Sequence, residues 1–146
     1  MESYFEVARS EGARVLSGGE APAGLSGGFY TQPTVVADVD NGMRIAREEV
    51  FGPVLAAIPF DSEEEAIKIA NDTEYGLGGA VWTSNVGRAH RVARSIESGV
   101  TWVNCYSVTD PSVALEGTKM SGYGVKGGPW HVASYCKEKT VWVNLD

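Results

Sequence analysis

The run Gly79-Ala80-Val81-Trp82-Thr83, then Asn85, then Ala89, Val92, Ala93 and Ile96, then Gly99 and Val100-Thr101-Trp102-Val103-Asn104-Cys105, decides the fold class. The opening segment is short and mostly apolar, which suits a buried strand. Asn85 is placed to cap a helix, because its side-chain oxygen accepts a backbone N–H left unpaired in the first turn. Ala89, Val92, Ala93 and Ile96 recur at i, i+3, i+4 and i+7, the spacing of one helix face. Gly99 is placed to end that helix in a left-handed conformation. Val100 to Cys105 then reads as another strand.

Upstream, Pro53 to Phe60 is a second short apolar run that suits a buried strand. Asp61-Ser62 opens a helix. Ser62 and Glu65 have capping-box spacing, and Glu63, Glu64 and Glu65 fill the first turn, where the helix dipole favours negative charge. Ala66, Ile67 and Ala70 form its apolar stripe, and Gly76 to Gly79 end it. The order is strand, helix, strand, helix, strand. Strands joined through helices usually run parallel in one sheet, so the pattern predicts an α/β sandwich.

The flanks are less regular. Tyr4 to Glu11 predicts a helix with Val7 and Ala8 inward, and Arg14 to Leu16 a short strand. Gly18 to Gly28 predicts a loop. Gly28 to Val36 is extended but interrupted by Pro33, which predicts an edge strand or connector. Met43 to Arg47 suits one helical turn. Val108 to Pro129 has little periodicity and predicts a long loop, uncommon unless functional or packed against something. Thr140 to Leu145 predicts a terminal strand with Val141, Val143 and Leu145 on one face. No internal repeat and no separate second domain are evident.

Composition narrows the function. The chain has 146 residues, the length of one domain. Its formal net charge of -7 repels phosphate backbones, so nucleic acid is not an expected partner. No apolar run approaches the ~20 residues a membrane span needs. The N-terminus lacks the basic-then-apolar order of a signal peptide. Cys105 and Cys136 give no disulfide framework, which fits reduced thiols and a cytoplasmic protein. Two cysteines and two histidines without ligand spacing predict no metal. Glycine is in excess, with 18 residues against a usual ~7% of a chain.

Three stretches carry candidate chemistry. In Glu48-Glu49-Val50-Phe51-Gly52-Pro53-Val54, two carboxylates precede an aromatic ring and a Gly-Pro turn into a strand. Such a carboxylate accepts hydrogen bonds from two adjacent hydroxyls, as in ribose recognition, and a phenyl ring packs on a flat heterocycle. A solvated acidic turn is the plain alternative. Gly122-x-Gly124-x-x-Gly127 satisfies the dinucleotide pattern, but its lead-in is polar and Gly128-Pro129 argues against a helix starting immediately, so chance accounts for it. Cys105 has no base within sequence reach to make a thiolate, which favours a buried or pocket-lining thiol.

The Glu48 to Val54 stretch resembles the Glu-Glu-(Ile/Val)-Phe-Gly-Pro-Val motif of the NAD(P)-dependent aldehyde dehydrogenase superfamily. The resemblance extends through Gly28-Phe29-Tyr30-Thr31-Gln32-Pro33-Thr34-Val35, Asn71-Asp72-Thr73-Glu74-Tyr75-Gly76-Leu77, Gly99-Val100-Thr101-Trp102-Val103-Asn104 and Lys119-Met120-Ser121-Gly122-Tyr123-Gly124, in family order along nearly the whole chain. It implies a three-layer α/β sandwich with a mostly parallel sheet. Residues 1–137 would be part of the catalytic domain and 138–146 an oligomerisation strand.

The family reaction is thiolate attack on an aldehyde, hydride transfer to NAD(P)+ and thioester hydrolysis, giving a carboxylic acid. By resemblance, Glu49 matches the glutamate on the nicotinamide ribose and Phe51 the phenylalanine beside the nicotinamide. Ser107, Thr109 and Leu115 fall where the family lines its aldehyde pocket, with Cys105 beside them.

The match covers only the last part of the family pattern. The Rossmann-type domain, the Glu-Leu-Gly-Gly stretch of the general base and the Gly-Gln-x-Cys stretch of the nucleophile have no counterpart in these residues. No catalytic residue is therefore assigned. The isolated chain is expected to be inactive and to bind neither NAD nor NADP alone. Self-association, as a dimer or higher, or association with a full-length relative is expected, since a partial sheet exposes an edge or apolar face. An interaction module without chemistry is the alternative function. Leu115 and Glu116 stand where the family commonly has an aromatic residue and a glycine, and Val125-Lys126 where it often has Arg-Glu.

Overall fold

The computed structural model describes residues 1–25 and 27–146; Ser26, inside the Gly18 to Gly28 loop, lies outside the described residues. The chain forms two compact units, Met1–Asp72 and Thr73–Asp146.

The first unit contains α1 (Glu2–Ser10), β1 (Arg14–Ser17), β2 (Thr34–Ala37), α2 (Arg44–Arg47), β3 (Val54–Ala56) and α3 (Glu63–Asn71). Its sheet has the order β1-β2-β3, antiparallel between β1 and β2 and parallel between β2 and β3. β2 is thus the central strand, not the expected edge. Pro33 sits just before the ladder and removes no hydrogen bond from it, and Thr34 opens the strand by donating its N–H to the Pro53 carbonyl at 2.8 Å. Ala8, Ala13, Val36, Val39 and Ile45 form the core, with Val15, Met43, Val50 and Val54 among the half-buried residues against it. The buried face of α1 is Phe5 and Ala8, whereas Val7 is half-buried. Ser62 caps α3 by accepting the Glu65 N–H at 3.1 Å, as the spacing predicts, and the Glu65 carboxylate reaches back to the Asp61 N–H at 2.8 Å. Within the α3 stripe, Ala66 and Ile67 are half-buried and Ala70 is exposed.

The second unit contains β4 (Tyr75–Gly76), β5 (Gly78–Val81), α4 (Val86–Ser95), β6 (Val100–Val103), β7 (Leu115–Glu116), β8 (Thr118–Lys119), β9 (Val125–Lys126) and α5 (Gly128–Ala133). β5 and β6 pair in parallel, with α4 packed on both. β4 pairs with β8 and β7 with β9, both antiparallel. The α/β class is as expected, and the parallel pairs are β2–β3 in the first unit and β5–β6 in the second. Asn85 caps α4 by accepting the Arg88 N–H at 2.9 Å, and Ala89, Val92, Ala93 and Ile96 are its buried or half-buried face.

Several expectations are corrected here. The stretch from Val108 to Pro129 holds three strands, each of two residues, too short to show a period in sequence. α5 does begin at Gly128, with Pro129 in its first turn, where the missing N–H would have been unpaired anyway. β6 ends at Val103, because Asn104 turns left-handed at φ 54°. Among the described residues, Thr140 to Leu145 pairs with no strand and takes no strand conformation. Gly99 is not a left-handed cap, since α4 ends at Ser95 and Ile96 takes an extended conformation. Its role is close approach: a Cβ there would run into the Glu116 carbonyl.

The surface is large for the chain. It measures 10,836 Å². Two separate folded units of half its mass would together expose about 8,700 Å². Among the described residues of the second unit, Ala89 is the one buried apolar side chain. The close approach at Gly99 leads to a test. Gly99→Ala is expected to lower stability by about 1–3 kcal/mol through forced backbone displacement, read as a shift of the urea midpoint. An unchanged midpoint would contradict the packing described.

Candidate functional site

The Glu48 to Val54 turn lies between α2 and β3. In an extended segment alternate side chains face opposite ways. Val50 packs against the core, and by this alternation Glu49 turns outward; Phe51 is exposed as well, but on a backbone that leaves the extended run. Phe51 is 87% exposed and has φ 49°, a left-handed backbone that is uncommon for an aromatic residue. Ile45, Glu48, Glu49, Val50, Phe51 and Val54 help line a shallow cleft of about 340 Å³.

The two carboxylates differ in every respect that matters for binding. Glu48 accepts from Arg44 Nε at 2.8 Å and Nη2 at 2.9 Å, a two-point fork. It also accepts from the Tyr4 hydroxyl at 2.9 Å. The Arg44 guanidinium lies 5.8 Å from the centroid of the Tyr4 ring, within cation–π range. The Arg44 fork, then the Tyr4 hydroxyl, hold the Glu48 carboxyl below the usual carboxylate range. Glu48 is therefore committed to the fold. Glu49 makes no hydrogen bond or ion pair among the described residues and is open to a ligand.

A second cluster lies beyond β6. Thr83 and Asn104 exchange two hydrogen bonds: the Thr83 N–H donates to Oδ1 at 2.8 Å, and Nδ2 donates to the Thr83 carbonyl at 2.9 Å. This ties the chain after β5 to the end of β6. The Trp102 indole N–H donates to the Val108 carbonyl at 2.7 Å, and its ring lies 5.1 Å from that of Tyr106. The intervening loop carries Cys105, half-buried, and Ser107, exposed with φ 60°. Thr109 and Leu115 line a groove of about 190 Å³ with Asp110, Pro111, Val113 and Lys126. Ser112 donates its hydroxyl and its backbone N–H to Asp110, which lowers the Asp110 carboxyl from its ordinary value. Thr109 and Leu115 thus come together, while Cys105 and Ser107 do not line that groove.

Sequence reading missed the parts that hold these sites. The i,i+4 spacing of Arg44 and Glu48 was visible, but not its link to Tyr4, 44 residues from Glu48. Lys126 comes into the groove because it pairs with Leu115 across the β7–β9 ladder. In the glycine pattern at 122–127, β9 falls between the second and third glycines, which is not the strand–turn–helix order of a dinucleotide fingerprint. Among the described residues no group of three or more His, Cys, Asp or Glu is arranged to hold a metal, and no helix is long and apolar enough to cross a membrane.

The profile of the aldehyde dehydrogenase family matches residues 1–141. A putative aldehyde dehydrogenase, DhaS, of Bacillus subtilis is 44% identical over 144 residues, 99% of this chain and 29% of the relative. A betaine aldehyde dehydrogenase of Cereibacter sphaeroides is 48% identical over 98% of this chain and 29% of its own length. The crystal structure of a Mycobacterium tuberculosis aldehyde dehydrogenase complexed with NAD+ superposes with a TM-score of 0.90 at 47% identity, covering 99% of this chain and 30% of that one. The chain thus spans under a third of the length of these relatives.

The Asn104 geometry is testable by substitution. Asn104→Gly keeps the left-handed backbone but loses both bonds to Thr83, and is expected to cost about 1 kcal/mol. Asn104→Ala loses the same bonds and adds about 1 kcal/mol of backbone strain. Urea unfolding should rank wild type above glycine above alanine. Equal stability of the two variants would remove the strain argument.

Proposed function

The chain belongs to the aldehyde dehydrogenase family, and from that premise we propose that it supplies part of the nucleotide and aldehyde clefts of an NAD(P)-dependent oxidation of an aldehyde to a carboxylic acid. The observation that carries this reading is the outward pair Glu49 and Phe51 on either side of inward Val50. These are the positions that the family resemblance gives to the nicotinamide ribose and ring. An uncommitted carboxylate suits two adjacent hydroxyls, and an exposed ring offers a face to a flat heterocycle. The cleft, about 340 Å³, suits one end of a dinucleotide. A bound nicotinamide would supply the hydride acceptor for that oxidation. Glu49 and Phe51 would orient it, Thr109 and Leu115 would shape the space for the aldehyde, and Cys105 and Ser107 stand on the loop that leads into it.

The 146 residues alone are expected to turn over no aldehyde. A nucleophilic thiol needs a base or a positive neighbour. The Nδ1 of His131 lies 2.9 Å from the Val125 carbonyl, and His90 is exposed on α4. Incubation with NAD+ or NADP+ and a panel of aldehydes, followed by the absorbance of reduced cofactor, should show no turnover. Turnover abolished by Cys105→Ala would overturn this reading. Binding of NAD+ is expected to be too weak for calorimetry, since one ribose contact does not offset the entropy of association.

A second reading, a non-catalytic association module, is favoured by the excess exposed surface. α3 and α5 bury no side chain fully, and Val141, Trp142, Val143 and Leu145 are all exposed. The occupant of this surface is a second copy or a full-length relative, with the 138–146 segment adding to a neighbouring sheet. Sedimentation should show concentration-dependent association. A monomer stable across concentrations would count against it.

A further inference from the structure

Phe51 is held in a left-handed backbone, although it is neither glycine nor asparagine. Such a conformation persists only where the surroundings enforce it. On its C-terminal side the enforcement is the entry into β3, where the Pro53 carbonyl accepts the Thr34 N–H. On its N-terminal side the last fixed side chains are Val50, in the core, and Glu48, held by Arg44 and Tyr4. The same Arg44 offers its backbone N–H to Glu11 Oε2 at 3.0 Å, which ties the start of α2 to the end of α1.

We infer that Tyr4, Arg44 and Glu48 form a positioning clamp that fixes the turn carrying Glu49 and Phe51, so that α1 and α2 together set the geometry of the proposed nucleotide cleft. This rests on the reading of Glu49 and Phe51 as nucleotide-facing. The fork is the strong member, because two parallel charge-assisted bonds fix direction as well as distance. The Tyr4 hydroxyl restricts the second oxygen and brings the ring under the guanidinium. Glu48 touches no ligand in this scheme; it acts through the backbone of Glu49, Val50 and Phe51. The side chains of Arg44 and Glu48 are 54% and 40% exposed, so the fork acts through geometry more than through Coulomb energy, which solvent screens.

The test uses the full 146-residue chain in solution by NMR. A residue at positive φ gives a strong intraresidue amide–Hα cross-relaxation peak, because those protons lie close together. Glu48→Ala and Arg44→Ala are expected to weaken that peak at Phe51 by about twofold or more as the backbone returns to negative φ. Tyr4→Phe, which removes one hydroxyl and leaves the fold intact, should shift the Phe51 amide in the same direction by less. Arg44→Lys should restore part of the Arg44→Ala effect. Arg47→Ala, which breaks the Arg47–Asp72 pair outside the turn, should leave the Phe51 peak unchanged. If Glu48→Ala does not fold, Tyr4→Phe and Arg44→Lys carry the test.

A titration with millimolar nicotinamide mononucleotide separates the two claims. Amide shifts at 49–52 in wild type that shrink several-fold in the clamp variants support both. No shifts in wild type would show that these residues alone do not hold a nicotinamide nucleotide, and the Phe51 peak would then decide the clamp alone. Equal titration shifts in wild type and the clamp variants, or a Phe51 peak that responds to Arg47→Ala as much as to Glu48→Ala, would overturn the clamp.

Discussion

Val50 is the one apolar side chain between two carboxylates and an aromatic ring, and the first unit has a small core that it helps to complete. Burying it removes a branched side chain from water, worth about 1.5–3 kcal/mol at full burial. With Val50 inward, alternation sends Glu49 outward, and the left-handed backbone at Phe51 leaves its ring exposed. The outward phenyl ring is an exposed apolar surface that the packing of this unit does not use. Ile45 and Val54, on the elements to either side, keep the turn short and leave a cleft beneath it. The packing of Val50 and the exposure of Glu49 and Phe51 are therefore one arrangement here.

The second unit uses a different device. Its full burial of apolar side chains is slight, and backbone closeness carries more of the organisation. Gly76 and Gly99 lie where a Cβ would collide with Thr118 and with the Glu116 carbonyl. The Thr118 hydroxyl lies within hydrogen-bond distance of the carbonyls of both Gly76 and Glu97, at 3.0 and 3.1 Å. Trp102 and Asn104 then hold the loop after β6 with polar groups rather than buried area. A unit built this way has well-defined loops and a large wet surface, which is why association and site formation are linked in its proposed role.

What was legible in sequence follows from the range of the forces involved. α3 and α4 announce themselves through caps and apolar spacing within about ten residues, and both caps are present as hydrogen bonds. The β5–α4–β6 unit follows from the same local signals. The central place of β2 was hidden, because Pro33 reads as an edge signal unless one knows that the ladder starts one residue later. Gly99 was misread because a glycine's sequence context does not separate a left-handed turn from a close approach. The strands at 115–126 are too short for any period, and their partners are set by pairing at a distance. For the site, the outward residues Glu49 and Phe51 were legible through the family motif. Their supports, Tyr4 and Arg44, were not, since a hydrogen bond spanning 44 residues leaves no local trace.

Every ladder of the first unit closes between Arg14 and Ala56. Every ladder of the second closes between Tyr75 and Lys126. A ribosome releasing the chain from its amino terminus has delivered all three strands of the first sheet before it adds Tyr75. The antiparallel β1–β2 pair spans the loop from Ser17 to Thr34, and the parallel partner β3 follows within twenty residues of it. The connections 18–33 and 38–53 are equal in length, so their closure costs about the same entropy. Loop cost therefore does not decide which pairing of that sheet forms first.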